Sequence, residues 1–568
     1  MAPWLRMSSA IGLATVVLMQ IFGGVFAHLL EKLSEGAFSM RSLVLAALIL
    51  AVTPAQAQPE HAHHKLGTVD FPISCNAEAQ RQFNVATAWL HSFEYEEAQN
   101  TYLAAATADP WCAMAQWGVA ISNLHPLWAP PSASELQNGV NALVRARQIG
   151  SKIQRESDYV EALFAFYGNA ATLDHGTRTL AYLDKMERLH RSYPDDEEAA
   201  VFYALALIAA GTIDDDKTYT RETNAAKILN RVLARHPNHP GVTHYLIHGY
   251  DYPALAHLAL PAARAYAGIA PASAHAQHMP SHIFTRLGLW DESIRSNLAA
   301  EAAAKAYATA HGMAGAWDEQ LHAIDYLVYG YLQLNQERNA RNVLERMNAI
   351  RRVDPPNFKV AYTFSAVPAR FALERRRWDE AAALELSPSA RKAVLWDRFT
   401  WAEANIHFAR AIGAAHNGDI VAARLETDRL KAIREQLPAK KGEYDWGEQV
   451  EIQRQIAAAW LASAEGRPEQ AIGLMREAAT LDEATEKHPV TPGAILPARE
   501  QVGDLLLAFG RPAEALAEFE ASLRRTPGRY NSILGAAQAA KLSGNIAKAR
   551  LYRSMLKMLG SEIPYWPN

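Results

Sequence analysis

Cysteine is nearly absent: two residues, Cys75 and Cys112, in a chain of 568. That is too few for a thiolate-rich structural zinc site, and it leaves room for one internal disulfide that would tie the leading segment to the first helices. Basic runs are equally scarce. None is longer than Arg375 to Arg377, and the formal net charge of -4 gives nucleic acid nothing to bind, which sets that class of partner aside. The chain carries no GxSxG, P-loop, dinucleotide fingerprint or HExxH, so serine, cysteine and nucleotide chemistry have no motif to rest on. No stretch alternates polar and apolar residues for long enough to suggest a strand.

What the chain has instead is helix after helix from about Asn76 onward, with apolar residues recurring at three and four and alanine abundant. A period of 34 residues runs through it. Ala98, Tyr102, Ala105 and Pro110 share the spacing of Ala225, Leu229, Val232 and Pro237, and of Ala515, Phe519, Ser522 and Pro527. The turn Gly510-Arg511-Pro512 separates two helices, Gly544 to Ala549 repeats that arrangement, and Pro194 and Pro271 close further units. This pattern resembles the tetratricopeptide repeat, in which the second helix of each hairpin carries small, aromatic and small residues before a closing proline. The resemblance extends over most of residues 79–560 and is degenerate at 129–192 and 352–500. It implies an all-α, right-handed α-solenoid of stacked helical hairpins, since no single hairpin can cover its own apolar faces. It also implies a concave groove, lined mainly by positions 2, 5, 9, 12 and 13 of each first helix.

Histidine is concentrated where that groove should be. Residues 236–282 hold eight of the 21 histidines, and two HxxxH pairs, His244/His248 and His278/His282, stand 34 residues apart. Residues four apart share one helix face, which is how a helix offers two imidazoles to one ion. In repeat register, His244, His248 and Asp251 take positions 5, 9 and 12, and His275, His278 and His282 take 2, 5 and 9 of the following repeat. His322 and Asp325 take 2 and 5 of a later one. His91 and His125, also 34 apart, and Glu500 and Asp504 are groove-lining by the same count. These residues suit zinc, copper or iron, with the four paired histidines expected to share one ion. A lone groove histidine can equally be a plain polar contact, His236, His239 and His257 read as incidental, and Trp89, Trp117, Trp128 and Trp317 read as core. Pro280 is the weak joint: a helix that starts there would set His278 and His282 on different faces.

Ahead of the array, Met40 to Ala57 has the basic start, apolar middle and small-x-small end of a cleavable export signal. Residues 1–39 are either an upstream start or, through residues 10–30, a membrane anchor. The expected division is thus 1–39, a signal at 40–57, an N-terminal segment at 58–78, a histidine-bearing array at 79–352, and a second array at 353–568 beyond the Pro- and Asp-rich stretch 353–359. The function expected is an exported binding scaffold whose groove takes a peptide, protein or small molecule and carries a transition-metal site. The alternative is a metal-dependent enzyme with histidine and carboxylate ligands and an open coordination position.

Overall fold

The computed structural model describes residues 66–213, 216–439 and 443–560, so the export signal and the anchor both lie outside the described residues. Those described belong to one compact unit. Their architecture is an all-α solenoid built from consecutive antiparallel hairpins. The helices Ala77–His91 and Tyr95–Ala108 form the first hairpin, and Pro512–Arg525 with Tyr530–Leu542 and Ile546–Met558 continue the pattern at the other end. The stretches where the repeat signature fades still fold as helices, among them Ala133–Ile149, Gln154–Tyr167 and Thr400–His416.

The repeat residues are where hairpins need them. Ala98, Tyr102, Ala105, Ala225, Leu229, Ala515 and Phe519 are all buried completely. Small residues set the approach between helices: a Cβ on Gly118 would stand 2.2 Å from the Tyr102 ring, and one on Gly503 or Gly535 would meet Phe519. Among the described residues, strand is confined to Ala316–Trp317 and Val353–Asp354, paired in parallel. That pairing staples the Pro- and Asp-rich stretch to the first array. The helix that follows it, Phe358–Glu374, packs on Asp318–Gln333, so no gap opens at residue 353.

Cys75 and Cys112 are joined by a disulfide, with Cα atoms 5.3 Å apart. It ties the entry segment to the start of the helix Ala113–Ile121.

One departure from an open solenoid matters for the site. Residues 485–497, between the helices Pro468–Ala484 and Ala498–Ala508, do not form a hairpin but cross the first-helix face of the earlier repeats. Tyr326 Oη donates to the carbonyl of Thr491 at 3.1 Å, Arg370 to those of Gly493 and Ala494, and Lys487 reaches Asp251. The expected groove is therefore filled. Glu500, expected to line it, is buried and held by Arg529 at 2.7 and 2.9 Å, while Asp504 pairs with Arg376.

The helix Pro240–Gly249 lies close against Ala77–His91, and a Cβ on Gly241 would stand 2.5 Å from His91 Nδ1. Gly241→Ala should therefore cost about 1–3 kcal/mol of stability by overpacking, read as a lowered denaturation midpoint. An unchanged midpoint would mean that the two helices are not held at this distance.

Candidate metal centre

Three successive first helices supply the histidines. His239 caps the helix Pro240–Gly249, accepting at Nδ1 from Val242 N–H, and Pro240 begins it, a start that needs no backbone donor. This helix carries His244 and His248. Ser273 caps Ala274–His278, which carries His275 and His278. Pro280–Arg286 carries His282, and Asp318–Gln333 carries His322.

Pro280 does restart the helix, yet the pair is not split. Met279 keeps right-handed helical dihedrals (φ -52°, ψ -36°), so the chain continues in nearly the same direction through the proline, and His278 Nε2 lies 3.0 Å from His282 Nε2. A helix start at this position thus leaves both imidazoles on one face, contrary to the expectation from sequence.

The six imidazoles form two triads, not one quartet. The ligand atoms of His244, His248 and His275 lie within 4.8 Å of one another, and so do those of His278, His282 and His322. The triads adjoin, with ring centroids 6.2 Å apart between His248 and His282 and 6.4 Å between His275 and His278. All six residues are buried, His248 being the most accessible at 8%. They face the interior of a filled groove.

Hydrogen bonds fix where the ring protons sit. His244 Nδ1 lies 2.7 Å from the carbonyl oxygen of His91, which can only accept, so His244 carries its proton there. His278 Nδ1 donates to Asn297 Oδ1 at 2.7 Å, the amide being oriented by its own Nδ2 bond to Ser293 O, and His282 Nδ1 donates to Asp251 Oδ2 at 3.0 Å. The Nε2 atoms of these three rings are left with bare lone pairs. Burial and neighbouring imidazoles hold His244, His248, His278 and His322 well below the ordinary histidine range, and burial takes His282 down to about 4 against the pull of Asp251. His275, whose Nδ1 lies 4.0 Å from Glu319, can donate from Nε2 to His244 Nε2 at 3.2 Å. Neutral rings with Nδ1–H cannot bond to each other through Nε2. Yet His278 and His282 bring theirs to 3.0 Å.

A cation between them resolves the conflict. Two nitrogens bound to one ion at about 2.0–2.1 Å, at angles between square and tetrahedral, stand about 2.9–3.4 Å apart. His248 Nε2 and both nitrogens of His322 are buried without a hydrogen-bond partner, as ligands awaiting an ion would be. The second partners on Nδ1 match the way metal-bound histidines are oriented.

The other expected residues fall outside the triads. Asp251 stands beside the second triad rather than in it, and its carboxylate receives His282, Arg286 and Lys487. Asp325 faces Arg370 across 3.6 Å, and burial pushes its carboxyl up to about 6. His91 does not line a groove but belongs to a third group with Glu198 and His239. There Glu198 accepts from His91 Nε2 and His239 Nε2, both at 2.9 Å, while His91 Nδ1 meets Tyr245 Oη at 2.9 Å and His239 Nδ1 is taken by Val242 N–H. Every ring nitrogen is satisfied, so this group is a structural hydrogen-bond set. His239, read as incidental, is one of its members. His125 stands in the loop after Ala113–Ile121 at φ 49° and lines a cavity of about 390 Å³ with Trp128, His248 and Lys487. Trp128, read as core, instead roofs the centre, with its ring edge-on to His275 and His322 and its carbonyl receiving His488 Nε2 at 3.2 Å.

Sequence reasoning missed Asn297, Glu319, Lys359, Arg286 and Lys487. Lys359 bridges Asp318 and Glu319 at 2.6 and 2.5 Å, and Glu319 lies 4.0 Å from His275 Nδ1. Round the centre, Lys359 pairs with two carboxylates, and Arg286 and Lys487 pair with Asp251, with Glu486 a further 3.8 Å from Arg286.

No family model and no curated protein matches this chain. Among solved structures it is similar to yeast Tom70, at 11% identity over 83% of this chain and 96% of that one, with a TM-score of 0.31. It is also similar to the P58(IPK) TPR domain, at 11% over 83% and 99% with a TM-score of 0.20, and to an IFIT1 monomeric mutant with Gppp-AAAA, at 13% over 83% and 97% with a TM-score of 0.37. Likeness at this level transfers no ligand or chemistry. The chain's own helices define it as an all-α solenoid of stacked hairpins, and the buried histidine groups within it could hold metal.

The histidines give the metal-free protein a specific pH dependence. The folded pKa values of His244, His248, His278, His282 and His322 are depressed below the unfolded value near 6.5, so the unfolded state binds more protons in the window between them. Stability contributed by the neutral rings is present above about pH 6.5 and should be lost as the pH falls toward His282's value of about 4. Thermal unfolding of the metal-free protein across that window checks this, and a flat midpoint would contradict it.

Proposed function

We propose that this protein is a metalloprotein, in which a helical-hairpin solenoid holds two transition-metal ions side by side, each on three histidines. The observation that carries the reading is the approach of the unprotonated Nε2 atoms of His278 and His282 to 3.0 Å, beside the partnerless buried nitrogens of His248 and His322. Imidazole suits zinc, copper, iron and nickel, and copper has the highest affinity in the divalent series. The ligand set narrows the choice further. Six neutral donors bring no negative charge, and the surrounding ionised groups are engaged with one another, so the charge of the ions themselves must be accommodated in a largely buried site. Burying charge is costly, and two copper(I) ions bring half the charge of two divalent ions. Copper is therefore the metal this centre favours.

The signal pattern at Met40 to Ala57 and the Cys75–Cys112 disulfide support export to an oxidising compartment. With three ligands per ion, an open coordination position and a cavity reaching His248, the centre suits a metal-dependent activity on a small molecule better than peptide capture. The face a peptide would use is occupied by residues 485–497.

Protein purified without an affinity tag and loaded with copper(I) should hold about two ions per chain by elemental analysis, as two triads require. His278→Ala should reduce that to one or fewer, and the exposed His257→Ala should leave it unchanged. Copper content that is negligible, or equal in the His278 variant and the parent, would overturn the reading. Asn297→Ala, which frees the His278 ring without removing a ligand, should weaken copper binding by about 10–100-fold, measured by competition with a chelator.

Expression of the full chain in a bacterial host should deliver protein that begins at Gln58 to the periplasmic fraction. Retention in the cytoplasm with residues 40–57 intact would overturn the export reading while leaving the metal centre standing.

A further inference from the structure

Each triad supplies three nitrogens, and the two triads meet along a seam where His248 faces His282 and His275 faces His278, at centroid distances of 6.2 and 6.4 Å. Two ions with open positions on either side of one seam are placed to share a small ligand. What that ligand is follows from the surroundings. Hydrolytic use of the ions would need a free base to take a proton from a bound water, and the nearby carboxylates are engaged: Asp251 by His282, Arg286 and Lys487, and Glu319 by Lys359. The walls are aromatic, with Tyr326 against His278 and His282, Phe93 against His244, and Trp128 over His275 and His322. Access comes from one side, where the 390 Å³ cavity reaches His248, the least buried of the six. The remaining five are exposed by 2% or less, so a ligand that touches both ions must be very small. It must also need no proton donor or base.

From this arrangement we infer that the centre, with copper(I) in both triads, binds dioxygen across the two ions. The inference rests on the metal reading above. Each copper(I) gives one electron and becomes copper(II), and dioxygen takes both and is bound as the peroxide dianion between them. Two copper–oxygen bonds form, the O–O single bond survives, and no proton is moved. Loss of dioxygen returns both electrons to the metals. No other oxidant or reductant enters the balance. The dianion also halves the net positive charge left by oxidation, so the buried site ends with the same net charge it held with copper(I).

The test uses the full, tag-free protein loaded anaerobically with two equivalents of copper(I), then titrated with air-saturated buffer while absorbance and dissolved oxygen are followed. One dioxygen should be taken up per two coppers, with an intense near-ultraviolet charge-transfer band that disappears when oxygen is removed. His322→Ala breaks one triad and should abolish the band while the other triad retains copper. Silver(I) keeps the ligand preference without the available electron, so the parent protein loaded with silver(I) should take up no oxygen. This second arm stands even if the variant fails to fold. Two coppers bound with no oxygen uptake would overturn the dioxygen inference and leave the metal reading intact. Fewer than two coppers bound would overturn the metal reading itself. Uptake by the silver form equal to that of the copper form would also sink the inference, since it would not depend on the metal's electron.

Discussion

The site depends on where three ring protons sit. A histidine with its proton on Nδ1 is an acceptor at Nε2, and the His91 carbonyl, Asn297 and Asp251 hold Nδ1 of His244, His278 and His282. With Nδ1 committed, His278 and His282 turn bare lone pairs toward each other at 3.0 Å, which repel unless something positive lies between them. The third group shows the opposite arrangement. His239 has its Nδ1 filled by a backbone donor, its proton points inward to Glu198, and the set closes on itself without an ion. Similar residues at similar burial therefore divide into histidines that could hold an ion and structural ones according to which ring nitrogen is already spoken for.

The solenoid makes this possible because its first helices repeat in register. His244 and His248 on one hairpin and His278 and His282 on the next occupy equivalent positions, so neither triad needs a loop to place it. Each pair then recruits a third ring from elsewhere, His275 from the start of the second helix and His322 from the third. Rigid elements hold all six, as a site built to ångström tolerance requires.

The hairpin array and the alignment of the two HxxxH pairs were legible because both are periodic, and periodicity survives in a bare sequence. The division into triads was not, because it depends on rotamers and on Asn297 and Glu319, which carry no motif. Pro280 misled in a particular way: the rule that proline starts a helix held, but Met279 kept helical dihedrals, so the start did not turn the chain. Burial was the largest omission. Position in a repeat says which face a residue occupies, and nothing about residues 485–497 more than 150 positions later announces that they will cover that face. Their Pro- and Thr-containing stretch, HPVTPGAILP, lies where the repeat signature fades, inside the second array.

That covering segment gives the centre a history as well as a structure. Domains take shape from the N-terminus as a chain is made, and all six imidazoles, residues 244–322, exist before Lys487 and His488 are added. The nascent site is open on the side that the finished molecule closes with Lys487 on Asp251 and His488 on Trp128. An ion can enter freely early, whereas one already enclosed can leave only if this strap lifts. Occupancy in the mature protein would then record which metal was at hand while the chain was folding, and exchange afterwards would be governed by a rate of opening rather than by relative affinity.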